Sequence, residues 1–208
     1  MCGRFFIADS TSKNGIRDIV PTDLAWIVCN ASYHKIRAKW GYYGRNEKHL
    51  IINARAESVR QKPLFGRDYS NRRCVVPAKG FYEWDSARNR YLFYDGDGEE
   101  ELYLAGIHNG LPVENTDAAS LFTILTVEAN EQMREVHSRM PVLIKRKEFV
   151  RWFGTVETAD ELLLEKIEGK QCLMKKRDLE TEQKNGKMPR PSTALPSETT
   201  ATVLDLIV

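Results

Sequence analysis

Short apolar and aromatic runs, broken every few residues by turn-forming side chains and only rarely by helical patterns, restrict this chain to a strand-dominated fold. Runs rich in Val, Ile, Phe, Tyr and Trp predict strands over 3–7, 24–29, 36–42, 50–53, 74–76, 80–84, 91–94, 102–107 and 121–127. Helical periodicity is confined to 56–61, to 130–136 with Asn130 as its N-cap, to 147–153 and to 159–167. So few helices cannot alternate with the strands, which argues against a doubly wound parallel sheet. The expected class is α+β, with β-rich mixed sheets and a few flanking helices. The 208 residues suit a single domain. The stretch 181–202, rich in Lys, Pro, Ser and Thr and without periodicity, reads as a loose or wrapping tail before an apolar 203–208.

Several function classes fall away on composition. No apolar run is long enough to span a bilayer, and the N-terminus lacks the basic-then-apolar pattern of a secretory signal, so a cytoplasmic protein is expected. Cys2, Cys29, Cys74 and Cys172 lie far apart, with no Cys-x-x-Cys pair and no Cys/His spacing of a zinc site. His34, His49, His108 and His137 form no His-Glu-x-x-His pair, and no glycine-rich phosphate loop is present. No metal and no cofactor are expected.

The net charge of +2 conceals an asymmetry: residues 1–93 hold 17 Lys/Arg against 8 Asp/Glu, whereas residues 94–208 hold 14 against 21. Positive charge interleaved with Trp26, Tyr33, Trp40, Tyr42 and Tyr43 suits a polyanion, because cations neutralise phosphates and aromatics stack on bases. Such asymmetry is also common in domains that bind no polyanion.

Four short segments concentrate the chemistry. The chain opens Met1-Cys2-Gly3-Arg4-Phe5, and aminopeptidases trim Met1 when the next residue is small. A terminal cysteine offers an α-amine and a thiol, with ordinary pKa values of roughly 8 and 8.5, on adjacent carbons. Such a 1,2-aminothiol condenses with an aldehyde to a Schiff base and then a thiazolidine, and it can also attack an amide or ester. The second segment is Asn53-Ala54-Arg55-Ala56-Glu57, the third Gly80-Phe81-Tyr82-Glu83-Trp84, and the fourth His137-Ser138-Arg139-Met140-Pro141. Each has a plain structural reading. Asn53 would cap a helix, Arg55 and Glu57 would form a surface pair, Glu83 would point outward by strand alternation, and His137 would be a hydrogen-bonded turn residue.

Taken together, in this order, the four segments resemble the SOS response-associated peptidase family, also called the abasic-site processing family. The resemblance extends to Trp40-Gly41-Tyr42 and Arg73-Cys74-Val75-Val76-Pro77, and covers residues 1 to roughly 155. It implies a pseudo-barrel-like domain that recognises an abasic site in single-stranded DNA and captures its ring-opened aldehyde as a covalent thiazolidine crosslink. In that reading Cys2 is the nucleophile and Asn53 orients it through an amide that accepts from the α-amine. Glu83, desolvated by its aromatic neighbours, shuttles protons. His137 polarises the deoxyribose oxygen, histidine being the side chain that ordinarily titrates nearest neutral pH.

The resemblance further implies DNA contacts from Gly3, Arg4, Trp40, Arg55, Arg72, Arg73 and Arg139, with Trp40 either a stacking platform or a core residue. It implies weak AP-lyase and self-processing activity, a monomer, and association with the nucleoid when acting on DNA. Two departures stand out. Only 15 residues separate Phe5 from Pro21, where the family carries a longer helical insertion, and the family's C-terminal Val/Asn-rich signature is absent. Two other readings of the same residues are a thiol-dependent peptidase using Cys2 and a non-catalytic polyanion-binding module.

Overall fold

Gly106 marks the seam at which a sheet closes on itself: a Cβ there would lie 2.8 Å from the Thr123 carbonyl and 3.1 Å from the Cys74 sulfur, so only glycine lets the neighbouring strands meet. The computed structural model describes residues 2–13, 15–44, 49–95, 101–110, 120–169 and 175–179. In chain order the strands are β1 (Arg4–Ala8), β2 (Ile16–Ile19), β3 (Leu24–Val28), β4 (Lys35–Trp40), β5 (Tyr42–Tyr43), β6 (Leu50–Ile51) and β7 (Asn53–Arg55). They continue with β8 (Arg73–Ala78), β9 (Gly80–Trp84), β10 (Arg90–Tyr94), β11 (Leu102–His108), β12 (Ser120–Glu128), β13 (Arg139–Pro141) and β14 (Lys175–Asp178). The α-helices are α1 (Gly66–Asn71), α2 (Glu131–Arg134), α3 (Phe149–Trp152) and α4 (Val156–Ile167), with single 3-10 turns at Ala56–Ser58 and Arg146–Glu148.

The order β11-β8-β3-β4-β12, with β12 pairing back to β11, makes a closed five-stranded barrel. A second sheet of order β14-β10-β9-β1-β2 carries the N-terminal segment. The main core gathers both: Phe5 lies 5.1 Å from Trp40 between ring centroids, Trp40 stacks on Phe122, and Phe81 on Phe93. The mixed parallel and antiparallel pairing and the few helices give the α+β class that the segment pattern predicts. No helix among the described residues is long and apolar enough to cross a membrane.

Every predicted strand is present, with ends shifted by a few residues; the run 36–42 divides at Gly41, whose φ of +119° breaks the extension. The Asn130 cap is also present, its Oδ1 accepting from the Met133 N–H at 2.9 Å. Three strands and one helix escape the sequence patterns. β2 carries Arg17 and Asp18 in mid-strand and is defined by its register against β1. β13 and β14 are three and four residues long, too short to show a period. α1 contains Gly, Ser and Asn, poor helix formers, and is held by tertiary contacts: Asp68 accepts from Tyr42 Oη at 2.9 Å and from Arg72 Nη1 at 2.7 Å. The tail 181–202, the segment 203–208 and Cys172 lie outside the described residues.

Candidate functional site

β1 and β9 pair antiparallel, with Phe5 opposite Phe81 and Arg4 opposite Tyr82. Side chains alternate along a strand, so Phe5, Phe81 and Glu83 share the core face, while Arg4, Tyr82 and Trp84 share the other. This corrects the outward placement of Glu83: the carboxylate is 4% exposed. Gly80 opens β9 where a Cβ would meet the Phe93 carbonyl at 2.5 Å, which fixes why that segment begins with glycine.

Cys2 has no exposed surface. Burial pushes its thiol well above the ordinary thiol range, and the nearby Glu83 charge adds to the effect. This thiol therefore binds its proton more tightly than a free cysteine, whose ordinary value is roughly 8.5. Asn53 Nδ2 donates to the Cys2 carbonyl at 2.9 Å, across 51 residues of chain. Asn53 lies in β7 and caps no helix; Arg55 occupies the N-cap position of the 3-10 turn that follows. The other amide atom, Asn53 Oδ1, is buried with no hydrogen-bond partner among the described residues.

β12 is the spine on which the other segments assemble. Along its second half β7 runs parallel on one edge, with Asn53 opposite Ile124 and Arg55 opposite Thr126. On the other edge β13 runs antiparallel, with Arg139 opposite Glu128 and Pro141 opposite Thr126. His137 lies two residues before the start of β13, and its Nδ1 accepts from the Arg139 N–H at 2.9 Å. A neutral ring accepting at Nδ1 carries its proton on Nε2. Cys2 is thus bonded to Asn53 and lies near the Glu83 charge, while His137 stands off the opposite edge of β12, beyond the Arg139–Glu128 register and at least four residues along that strand from Asn53.

The cationic residues separate into two groups. Arg55 is exposed and shares a strand face with Asn53. Arg4 is half-exposed, 3.5 Å from Asp18 and stacked over Trp84 at 5.9 Å, and Gly3 lies between it and Cys2. The remaining positions are built into the structure. Arg73 is buried, donating to the carbonyls of Trp152, Tyr69, Ser70 and Gly154, so the expectation that it contacts DNA is overturned. Arg72 is engaged with Asp68. Arg139 forms a bidentate pair with Glu57 at 2.7 and 2.9 Å and donates to the Thr126 carbonyl at 2.6 Å. The predicted Arg55–Glu57 surface pair gives way to this cross-segment pair.

Trp40 is fully buried and presents no face to a base, which overturns the stacking reading. Its Nε1 donates to the Ile52 carbonyl at 3.0 Å, and the Ile124 N–H donates to the same oxygen at 3.2 Å. Two positioning devices, Trp40 on Ile52 and Arg139 on Glu57, were missed by sequence reasoning. For the second a signal existed, since Glu57 and Arg139 carry opposite charges. For the first there was none, because an indole's acceptor is set by the fold. Among the described residues no group of three or more His, Cys, Asp or Glu is placed to hold a metal ion.

The sequence pattern described as SOS response associated peptidase (SRAP) matches residues 9–181, a span that holds Asn53, Glu83 and His137. The chain belongs to this family. Cys2 lies upstream of the matched span and is joined to it by the Asn53 bond. Among SRAP relatives, the Bacillus subtilis abasic site processing protein YoaM is 30% identical over 135 residues, covering 61% of this chain and 60% of that protein. The B. subtilis abasic site processing protein YoqW is 28% identical over 189 residues, covering 78% and 84%. The Xenopus tropicalis abasic site processing protein HMCES is 31% identical over 136 residues, covering 54% and 41%. The match thus spans about three fifths of YoaM and about two fifths of HMCES. The fold resembles the crystal structure of a phage-related protein from Bordetella bronchiseptica, with a TM-score of 0.68 at 21% identity over 86% of this chain and 94% of that one. A protein from Bacteroides thetaiotaomicron gives 0.65 at 21% identity, over 85% and 82%.

Proposed function

We propose that Cys2, once Met1 is removed, captures the ring-opened aldehyde of an abasic site in single-stranded DNA as a thiazolidine. The observation that carries this reading is the Asn53–Cys2 hydrogen bond beside the buried Glu83 carboxylate. The names of the SRAP relatives supply the substrate class.

The chemistry divides between the two nucleophiles. The α-amine adds to the aldehyde carbon, a C–N bond forms, and the carbonyl oxygen takes a proton to give a carbinolamine. Loss of one water yields the imine. The thiol then adds to the same carbon, and its proton must leave as the S–C bond forms. Burial keeps that thiol protonated, so the ring closes only with a base at hand, the role assigned to Glu83. The same burial sets the order, amine before thiol. Asn53 Oδ1 is the acceptor left for the α-amine, and His137 Nε2–H faces the sugar oxygen during ring opening. Holding aldehyde and amine together raises their effective concentration by about 10⁵ M or more. Arg55 and Arg4 are the cations free enough to meet the flanking phosphates.

Intact mass spectrometry tests the reading. Protein lacking Met1, incubated with an oligonucleotide holding one abasic site, should gain the oligonucleotide mass less one water. Protein with residues retained before Cys2 should gain nothing. A correctly trimmed, folded protein that forms no adduct refutes the proposal.

A further inference from the structure

Several of the described cations are matched to carboxylates, among them Arg17 to Asp9, Arg60 to Asp160, Arg151 to Glu165, Lys166 to Glu148 and Lys176 to Glu135. β4 carries three that are not, spaced as a row. Lys35, Arg37 and Lys39 alternate with the inward-facing Ile36 and Ala38, so all three project from the outer face of the barrel. Among the described residues none of the three has a carboxylate within ion-pair distance. Opposite them on β3, Trp26 pairs with Arg37, which lies over its ring at 6.0 Å. The indole keeps 51% of its surface in solvent, on a strand whose alternate residues Ala25 and Ile27 fill the core. At the hairpin end Tyr33 holds a φ of +66°, and its ring carries Lys35 at 4.8 Å and Arg146 at 4.3 Å. A bulky side chain in the left-handed region costs about 1 kcal/mol or more, so the turn that gathers these cations is not the relaxed one.

Successive outward cations on a strand stand about 6.8 Å apart, so the row extends some 13 Å from Lys35 to Lys39, and Lys39 adjoins Trp40, which holds the Ile52 carbonyl before Asn53. The row runs over the outer face of the barrel, opposite to the face that Trp40 and Asn53 share through their register on β12. We infer that the outer face of β3 and β4 is a second, lesion-independent contact for single-stranded nucleic acid, with phosphates along Lys35, Arg37 and Lys39 and a base on Trp26. An unmatched cation row serves any polyanion. The half-exposed indole among the cations favours one whose units have π faces. In its choice of nucleic acid the inference rests on the proposed function, and its test uses DNA without a lesion.

Fluorescence anisotropy with a labelled 20-nucleotide oligothymidylate lacking an abasic site reads the contact directly. Lys35→Gln with Lys39→Gln should weaken binding at least tenfold at low salt and lower the slope of log affinity against log salt by about 1.4. Trp26→Ala should weaken it about fivefold or more and abolish a tryptophan-fluorescence quench seen on binding. Both variants should capture a trinucleotide abasic substrate at the wild-type rate, because that substrate is too short to reach the row. Unchanged affinity of the folded glutamine variant overturns the inference. So does loss without any Trp26 effect, together with equal displacement by polyglutamate, which would mark a surface for acidic polypeptide. Failure of capture by every protein, with oligothymidylate binding still dependent on Trp26, would sink the proposed function and leave this contact standing.

Discussion

The indole Nε1 of Trp40 donates to the Ile52 carbonyl at 3.0 Å, one residue before the asparagine that holds the Cys2 carbonyl. The same indole lies against Phe5, three residues beyond Cys2. One buried side chain thus links the strand that follows Cys2 to the strand that carries Asn53.

Trp40→Phe keeps most of the apolar volume and removes the donor. The Ile52 carbonyl retains its bond from Ile124, so urea denaturation should show a loss of only about 1–2 kcal/mol. The capture rate should fall further than that stability change accounts for. A variant with wild-type capture would show that Asn53 is held without the indole.

Cys2→Ala, made with Met1 removed, keeps the amine and discards the thiol. It should form no borohydride-resistant thiazolidine yet still give a reducible Schiff base. Strand cleavage by β-elimination should rise, because nothing consumes the imine. Gel analysis of abasic oligonucleotides with and without borohydride decides the matter, and loss of every product would point to a thiol-only route.

Asn53→Ala removes both the donor to Cys2 and the unengaged acceptor beside it. Capture should slow by on the order of tenfold to a hundredfold, the scale on which a displaced reactant costs rate, with little change in affinity for lesion-free DNA. Equal losses in both assays would assign Asn53 to folding.

Acid should loosen the link between the second and fourth segments. Burial pulls the Glu57 carboxyl upward, but the hydrogen bonds and charge of Arg139 prevail and hold it below its ordinary value of 4.5. A carboxyl with a lowered folded-state pKa contributes stability that is complete above its unfolded value and is lost as pH falls through the folded one. Thermal melts should therefore decline below about pH 4.5, and Arg139→Gln should flatten that part of the profile. A profile identical in the two proteins would remove the pair from the stability balance.

Arg73→Leu should behave as a folding variant. Removing a buried guanidinium that satisfies four carbonyls should cost about 3 kcal/mol or more by chemical denaturation. DNA affinity at temperatures where the variant is folded should be unchanged, and a selective loss of affinity would return Arg73 to the interface.

The strands and the segments with chemistry were legible because apolar alternation and residue type are local properties. Glu83 shows the limit: alternation alone allows it to face either way, and only the pairing of β9 with β1, which places Phe5 opposite Phe81, turns it inward. The arginines show a second limit. Arg55 and Arg73 look alike in sequence, yet one lies in solvent and the other is enclosed by α1 and the residues around α3. The thiol of Cys2 is a third, since its proton affinity is set by burial that no neighbouring residue in sequence announces.

The arrangement around β12 has a consequence for biosynthesis. Cys2 leaves the ribosome well before the strands around it, since β9 begins 78 residues later and β13 137. Long-range pairings of this kind close last, after their loop entropy has been overcome. A nascent or truncated chain thus displays Cys2 in solvent with nothing to hold it. Folding then buries the thiol and raises its proton affinity, which withdraws it from chance encounters with cellular carbonyls.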